Sequence, residues 1–530
     1  MGISRRAFLA GSATVAGAVA GAATIAAPAI AQARKAVLRY IPPSNLAGID
    51  PVLTSGAPVR NHGYQIYDTL FGMNTRFEVK PQMAEGAEQS ADGLTWTIRL
   101  RDGLKFHDGE KVLARDCVAS LKRWGARDPL GQTIFGLTDE LRAVDDRTLE
   151  FRLKSRFGLL TKGLAKIGGP APFIMPERIA QTDPSVSIKE AIGSGPFRFL
   201  ADEWVPGSRA VYAKFDGYVP RNEAPDCTSG GKMVYVDRLE WHVIPDAATA
   251  TAALQRGEVD WYHGPDLTLL PLLSQDPAIN TEAYDDLGYM TILRFNHLQP
   301  PFDRLEMRRA IQMAVNQVDY LQAQVGMPDL YKECRSTFFC GTTMSTGAGS
   351  EVMAANFEKA KALLESSYKG EKVAIPTATD LSWLHAASLV TEDLLKRMGV
   401  NVELQAMDLG TFYKRRTSME PVDKGGWSIF HAGFSVTDIL DPSTHLGLRA
   451  NGKQTWPGWP TDPVIEQLRD EWMTADPQDQ GAIVRKIEAR AFETVPFVPL
   501  GQFQTPSARR RTVIGMLKAP LPLAWNIKLG

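Results

Sequence analysis

Two carboxylates three residues apart, Asp438 and Asp441, sit in the apolar stretch "HAGFSVTDILDPSTH" from His431 to His445. Acids in such surroundings can form turns, make a catalytic pair, bind a metal, or anchor a cationic ligand. Asp441 precedes Pro442, and Asp-Pro starts turns, so its expected role is structural. Asp438 lies among Phe434, Val436, Ile439 and Leu440. A carboxylate placed there needs a cation or hydrogen-bond donors, or it takes up a proton. An internal arginine or backbone amides could supply them. So could a ligand ammonium with aromatic rings packed on the ligand's body. As an acid/base pair, the same two aspartates would suit a periplasmic hydrolase. His431 and His445 flank the stretch and leave a metal pair as a further reading.

Other chemistry is sparse. The chain has no G-x-S-x-G elbow and no H-E-x-x-H helix. "SGGK" at Ser229 to Lys232 lacks the remaining residues of a phosphate-binding loop. "GSGPF" at Gly193 to Phe197 reads as a tight turn into a strand. No cofactor or metal is expected, and no enzymatic activity.

The elements that must position Asp438 follow from patterning. Asp246 can cap "AATATAALQR", Gly257 ends it, and the flanking "LEWHVIP" and "EVDWY" read as parallel strands. A second series follows residue 300. Asp303 caps a helix carrying Ile311, Ala314, Val315 and Val318. Strands "KVAIP" and "VNVELQ" surround a helix near Leu384 to Met398 that stops at Gly399. A short helix around "LGTFYKRR" then leads into the strand "WSIFH". That strand is expected to be parallel and to end near His431, which would put Asp438 at a crevice outside strand ends. Ahead of both series, Leu94 to Phe106 reads as a hairpin turning at "RDG", followed by a helix near Ala114 to Trp124 and a strand at Leu149 to Leu153. These make an α+β unit over 76–192.

Length and composition fit this organisation. At 530 residues, 44% hydrophobic and 22% charged, the chain reads as globular and holds more than one core. The net charge of -1 becomes -3 once Arg5 and Arg6 of the first 33 residues are set aside, so no nucleic-acid partner is expected. Arg509 to Arg511, the one cationic cluster, reads as a solvated turn. "SRRAFLAGSATVAGAVAGAATIAAPAIAQA" has paired arginines, a small-residue apolar run, and Ala31-Gln32-Ala33. This pattern predicts a twin-arginine-type signal peptide over 1–33, cleaved near Ala33, and therefore the twin-arginine export machinery as a partner and the periplasm as address. A membrane anchor is the competing reading. In an oxidising compartment Cys334 and Cys340 of "CRSTFFC" form a disulfide, worth roughly 2 kcal/mol for so short a loop. A zinc site lacks its remaining ligands. Cys117 falls on an apolar helix face, and Cys227 has no assigned role.

"YDTLF", "KPQMAEGAEQSADGLTWTIRLRDGLKFHDGE", "ARDCVASLKRW", "GSGPFRF", "NHLQPPFDRLEMRRAIQMAVN" and "TDILDP" resemble, in order, segments of the family 5 extracellular solute-binding proteins. These are dipeptide- and oligopeptide-binding components of ABC importers. The resemblance implies a bilobal α/β periplasmic-binding-protein fold with an additional α+β domain. Lobe I would comprise 34–75, 193–290 and 505–530, the extra domain 76–192, and lobe II 291–504. It implies a monomer that closes on a small peptide or amine-containing solute and delivers it to ABC permease subunits in the inner membrane. Asp438 matches the family's amine-binding aspartate. Phe434, Trp383 and Tyr289 would line the pocket, with Asn296 and Tyr64 bordering it. Dipeptide-binding relatives hold the ligand carboxylate with an arginine in the segment matching "ATDLSWLHA", where none occurs here; Trp383 stands out instead. That departure leaves open a solute with a less acidic far end. A metal-chelate or other small-solute carrier of the same family is the alternative.

Overall fold

The computed structural model describes residues 36–54 and 56–530. The predicted export signal lies outside the described residues. Two mixed or antiparallel sheets and a third, smaller unit make up a bilobal α/β fold with an added α+β domain.

The first sheet has seven strands in the order Phe197–Phe199, Arg209–Lys214, Arg238–His242, Val37–Ile41, Trp261–Tyr262, Ser507–Arg510, Ile279–Glu282. Val37–Ile41 lies parallel to both Arg238–His242 and Trp261–Tyr262, so the strand-helix-strand unit encloses an earlier strand between its two parallel members. Its helix, Ala247–Arg256, starts where the Asp246 carboxylate accepts the Thr249 amide at 2.7 Å. It ends at Gly257, whose φ of 71° suits a residue without Cβ. The helix Ala57–Ile66 is buried from Val59 onward. Gly193 and Gly195 are needed at its C-terminal end, because a Cβ on Gly193 would stand 1.8 Å from the Ile66 carbonyl oxygen. Close approach, rather than turn geometry, explains "GSGPF". "SGGK" is also structural. Lys232 is fully buried, pairs with Asp68 at 2.7 Å and lies over the Trp525 ring.

The second sheet is antiparallel in the order Tyr331–Lys332, Phe497–Phe503, Tyr289–Phe295, Ile429–Ser435. A parallel pair, Val373–Ala378 and Val402–Met407, continues it through the Ser428 amide, which donates to the Ala374 carbonyl at 2.9 Å. The strand written "WSIFH" therefore runs to Ser435 and is antiparallel to its sheet neighbour, against expectation. Alternation of buried residues marks a strand but not the direction of its partner. The helix expected from Asp303 is two helices, Leu305–Ala314 and Gln317–Gln324. Arg304 stands at the first N-cap, and the Asn316 side chain caps the second by accepting the Val318 amide at 3.3 Å. Val318 is consequently exposed rather than on the core face.

The added unit packs the helix Ala114–Gly125 across the sheet Ala84–Gln89, Thr95–Leu100, Thr148–Leu153, Thr138–Ala143. Trp96, Ile98 and Leu100 face inward against Cys117, Leu121 and Trp124. The predicted hairpin does not form. Thr95–Leu100 pairs with Ala84–Gln89 and Thr148–Leu153, while Leu104 and Phe106 are buried by a loop in which Lys105 bridges only Lys111. Arg509 and Arg510 belong to an inner strand and are half-buried, so only Arg511 matches the solvated turn.

The chain passes between the large sheets at 283–288 and returns at 504–506. Gln502 and Gln504 bind the first passage by donating to the carbonyls of Leu287 at 2.8 Å and Asp286 at 3.0 Å. Cys334 and Cys340 are joined in a disulfide with Cα atoms 5.7 Å apart. Cys117 and Cys227 are free and buried. Glu488, fully buried, holds the loop that follows the disulfide's first cysteine. It accepts the hydroxyls of Ser336, Thr337 and Thr346 and the amides of Thr337, Thr346 and Gly347. Glu488→Ala strands these donors in a dry interior, and chemical denaturation of that variant is expected to show a loss of about 3 kcal/mol or more.

Candidate functional site

The strand Ile429–Ser435 delivers the chain to a single 3-10 turn, Val436–Asp438. One oxygen of Asp438, Oδ2, accepts both the Ser435 amide and the Ser435 hydroxyl, each at 2.9 Å. Among the described residues Oδ1 accepts nothing, and no cation lies within ion-pair distance of the carboxylate. Asp441, by contrast, is spent on structure. It is buried, pairs with Lys162 at 2.8 Å and accepts the Ser443 amide at 2.9 Å. Burial would raise its carboxyl, but the Lys162 charge and the Ser443 hydrogen bonds outweigh that and hold it below the ordinary carboxylate range. The two aspartates are therefore separately engaged rather than facing one another as an acid/base pair.

Asp438 lines a cavity of about 310 Å³. One wall is Thr437, Ser443, Thr444, Leu446, Arg449 and Trp456; the other comes from residues 52–54, 127–130, Lys166 and 168–170. The walls touch where Arg60 Nη1 donates to Thr437 Oγ1 at 3.3 Å and where Gly168 packs on the Thr437 carbonyl. A Cβ on Gly168 would stand 2.7 Å from that oxygen. Lys166, on the cavity wall, is matched by Asp128.

The other expected pocket residues divide. Phe434 is buried behind Trp456, ring centroids 5.4 Å apart, and reaches the cavity only through it. Trp383 and Tyr289 lie elsewhere, in an aromatic cluster with Phe503 at centroid distances of 5.5 to 6.3 Å. Trp383 packs on Gly433, one residue from Phe434 and thus on the opposite strand face; a Cβ there would stand 2.6 Å from the indole. Neither lines the 310 Å³ cavity. Tyr289 still senses it electrostatically. Burial raises its hydroxyl, Arg60 opposes, and Asp438 adds to the rise. Asn296 and Tyr64 are corrected to structural roles. Asn296 is fully buried, donates to the Trp427 carbonyl at 2.9 Å and accepts the Leu298 amide at 3.0 Å. The Tyr64 hydroxyl donates to the carbonyl of Ile167 at 3.2 Å. Both are polar groups consumed by backbone.

The histidines do not converge. His431 bonds the hydroxyls of Ser388 at 3.0 Å and Thr391 at 2.8 Å. His445 accepts the Leu448 amide at Nδ1, so its Nε2 donates to the Thr337 carbonyl at 2.7 Å. Sequence reasoning missed Arg60, Thr437, Arg449 and Trp456. Only the nearness of Thr437 to Asp438 could have drawn attention to any of them.

The sequence matches the profile "Bacterial extracellular solute-binding proteins, family 5 Middle" over residues 78–454. It is 39% identical over 523 residues to a probable peptide ABC transporter periplasmic-binding protein, y4tO, of Sinorhizobium fredii (strain NBRC 101917 / NGR234), covering 97% of this chain and 98% of that protein. The fold resembles the ABC transporter-associated periplasmic binding protein DppA of Helicobacter pylori, solved in complex with peptide STSA (TM-score 0.78, 20% identity, 93% and 98% of the two chains). It also resembles a dipeptide binding protein from Pseudoalteromonas sp. SM9913 in complex with Met-Leu (TM-score 0.77, 19% identity, 93% and 100%).

Burial holds His62, His431 and His445 neutral, each lowered to about 3. The unfolded chain takes up these protons near pH 6.5 and the folded chain does not. Their contribution to stability is thus full above pH 6.5 and falls by about 1.4 kcal/mol per unit for each histidine as the pH drops. Urea unfolding between pH 7 and 5 is expected to show that decline, made shallower by His431→Gln; a flat profile would contradict the burial argument.

Proposed function

As the chain belongs to the family 5 bacterial extracellular solute-binding proteins, we propose that it captures a peptide or similar amine-bearing solute for an ABC importer and hands it to permease subunits in the inner membrane. The observation that carries this reading is the divided carboxylate of Asp438. Its Oδ2 is fixed by Ser435, and its Oδ1 remains open on a cavity closed by residues from both sides. A ligand ammonium placed there supplies the missing cation. In a site from which closure expels water, that charge-assisted bond is stronger than it would be in solution.

The proposal includes the organisation that such capture needs. Lobe I would be built from 34–75, 193–290 and 505–530, and lobe II from 291–504, with 76–192 as the added domain. The passages 283–288 and 504–506 would form the hinge. The protein would work as a monomer in the periplasm, exported by the twin-arginine route and cleaved near Ala33. No described helix is long and apolar enough to cross a membrane.

Calorimetric titration with free-amine dipeptides and their N-acetyl counterparts tests the reading. Free-amine peptides are expected to bind and blocked ones to bind at least tenfold more weakly. Asp438→Asn should cost about 2–3 kcal/mol for the free amine and little for the blocked form. Equal binding of both forms, or an affinity unmoved by Asp438→Asn, would remove Asp438 from the site.

A further inference from the structure

Resting on that reading, we propose that the solute carries a carboxylate at its far end and that Arg449 and Arg60 receive it. Both arginines come from outside the 378–386 segment, where the sequence offered none.

Three buried arginines elsewhere among the described residues show how such a charge is met. Arg123 makes a two-pronged pair with Asp50 at 2.8 and 3.0 Å. Arg469 pairs with Glu466 at 2.9 Å. Arg294 donates to the carbonyls of Gly447, Pro496 and Pro457. At the cavity no such partner is present. Arg449 lines it together with Asp438; among the described residues its side chain makes no hydrogen bond and no ion pair, and its Nε is buried without a partner. Arg60, only 8% exposed, reaches Thr437 on the cavity wall. Its guanidinium otherwise bonds just the Asn61 side-chain oxygen, at 3.0 and 3.1 Å, with no carboxylate in ion-pair range. Arg416 adds a third unmatched charge, stacked 5.4 Å from the centroid of Trp456, whose ring lines the same cavity.

A guanidinium partly withdrawn from water without an anion carries a desolvation cost, and its planar fork suits a carboxylate presented edge-on. Of the acids on the wall, Asp128 is already neutralised by Lys166. Asp438 is assigned to the ligand amine. The remaining positive charge therefore faces the ligand itself. An amino-acid-derived solute with one amine and one or two carboxylates balances it, whereas a solute ending in amides or hydroxyls does not.

Calorimetry of the purified mature protein with L-alanyl-L-glutamate and L-alanyl-L-glutamine amide provides the test, run on wild type, Arg449→Gln, Arg60→Gln and Asp438→Asn, with melting temperature as a folding control. The acid is expected to bind wild type at least tenfold more tightly than the amide. Arg449→Gln should abolish that preference while leaving the amide's affinity within about twofold. Equal wild-type affinity for acid and amide overturns the proposal, and so does an Arg449→Gln loss shared by both probes. If those results come with a loss of both probes in Asp438→Asn, the amine-binding reading survives alone; if neither probe binds wild type, both readings fall. The wild-type comparison needs no variant to fold.

Discussion

The turn from Ser435 to Asp438 closes on itself, with Ser435 donating its amide and its hydroxyl to a single oxygen of the aspartate. The arrangement fixes the side chain's direction while leaving half of its acceptor capacity unused. Everything nearby supports that turn. The strand Ile429–Ser435 fixes where it begins. Asp441, neutralised by Lys162, anchors the chain just beyond it. Thr437, inside it, meets Arg60 and Gly168 from the opposite wall. A carboxylate held this firmly needs little reorganisation when it meets a cation, so more of the electrostatic gain appears as affinity.

The distribution of charge in the interior follows the same logic. Lys232, Arg123 and Lys166 each have an acid, and Arg294 has carbonyl oxygens. His431 and His445 are held neutral by burial. Asp438, Arg449 and Arg60, which have no ion-pair partner among the described residues, gather around one cavity. Charged groups left open beside one cavity store binding capacity there, at a cost to the empty protein.

Much of this was legible in the chain. Caps at Asp246 and Gly257, the alternation at Trp96, Ile98 and Leu100, and the long helix ending at Gly399 all depend on local chemistry, which sequence carries directly. Errors arose where the outcome depends on a distant partner. Nothing in "TWTIRL" says that it pairs with Thr148–Leu153 rather than with residues 104–106, and nothing in "WSIFH" announces an antiparallel neighbour. The site shows the same division. Asp438 stood out because a charge among apolar neighbours is a local anomaly. Trp383 and Phe434 are nearly adjacent in space, yet Gly433 and Phe434 face opposite sides of one strand, so they serve different surroundings. Arg60 and Arg449 are nearly four hundred positions apart and carry no mark of a shared role. Only folding sets both beside the turn at Thr437 and Asp438.

The two passages between the large sheets are stitched to each other by Gln502 and Gln504, and Gly288 admits the Phe503 carbonyl where a Cβ would stand 2.0 Å from its oxygen. Acting as the proposed hinge, a doubled ribbon bound across its width would resist shear and leave the sheets mainly one angular coordinate along which to approach. Solutes of different size would then stop the swing at different angles on a common arc. A membrane receptor that reads the spacing of the two outer faces could in this way gauge the cargo without touching it.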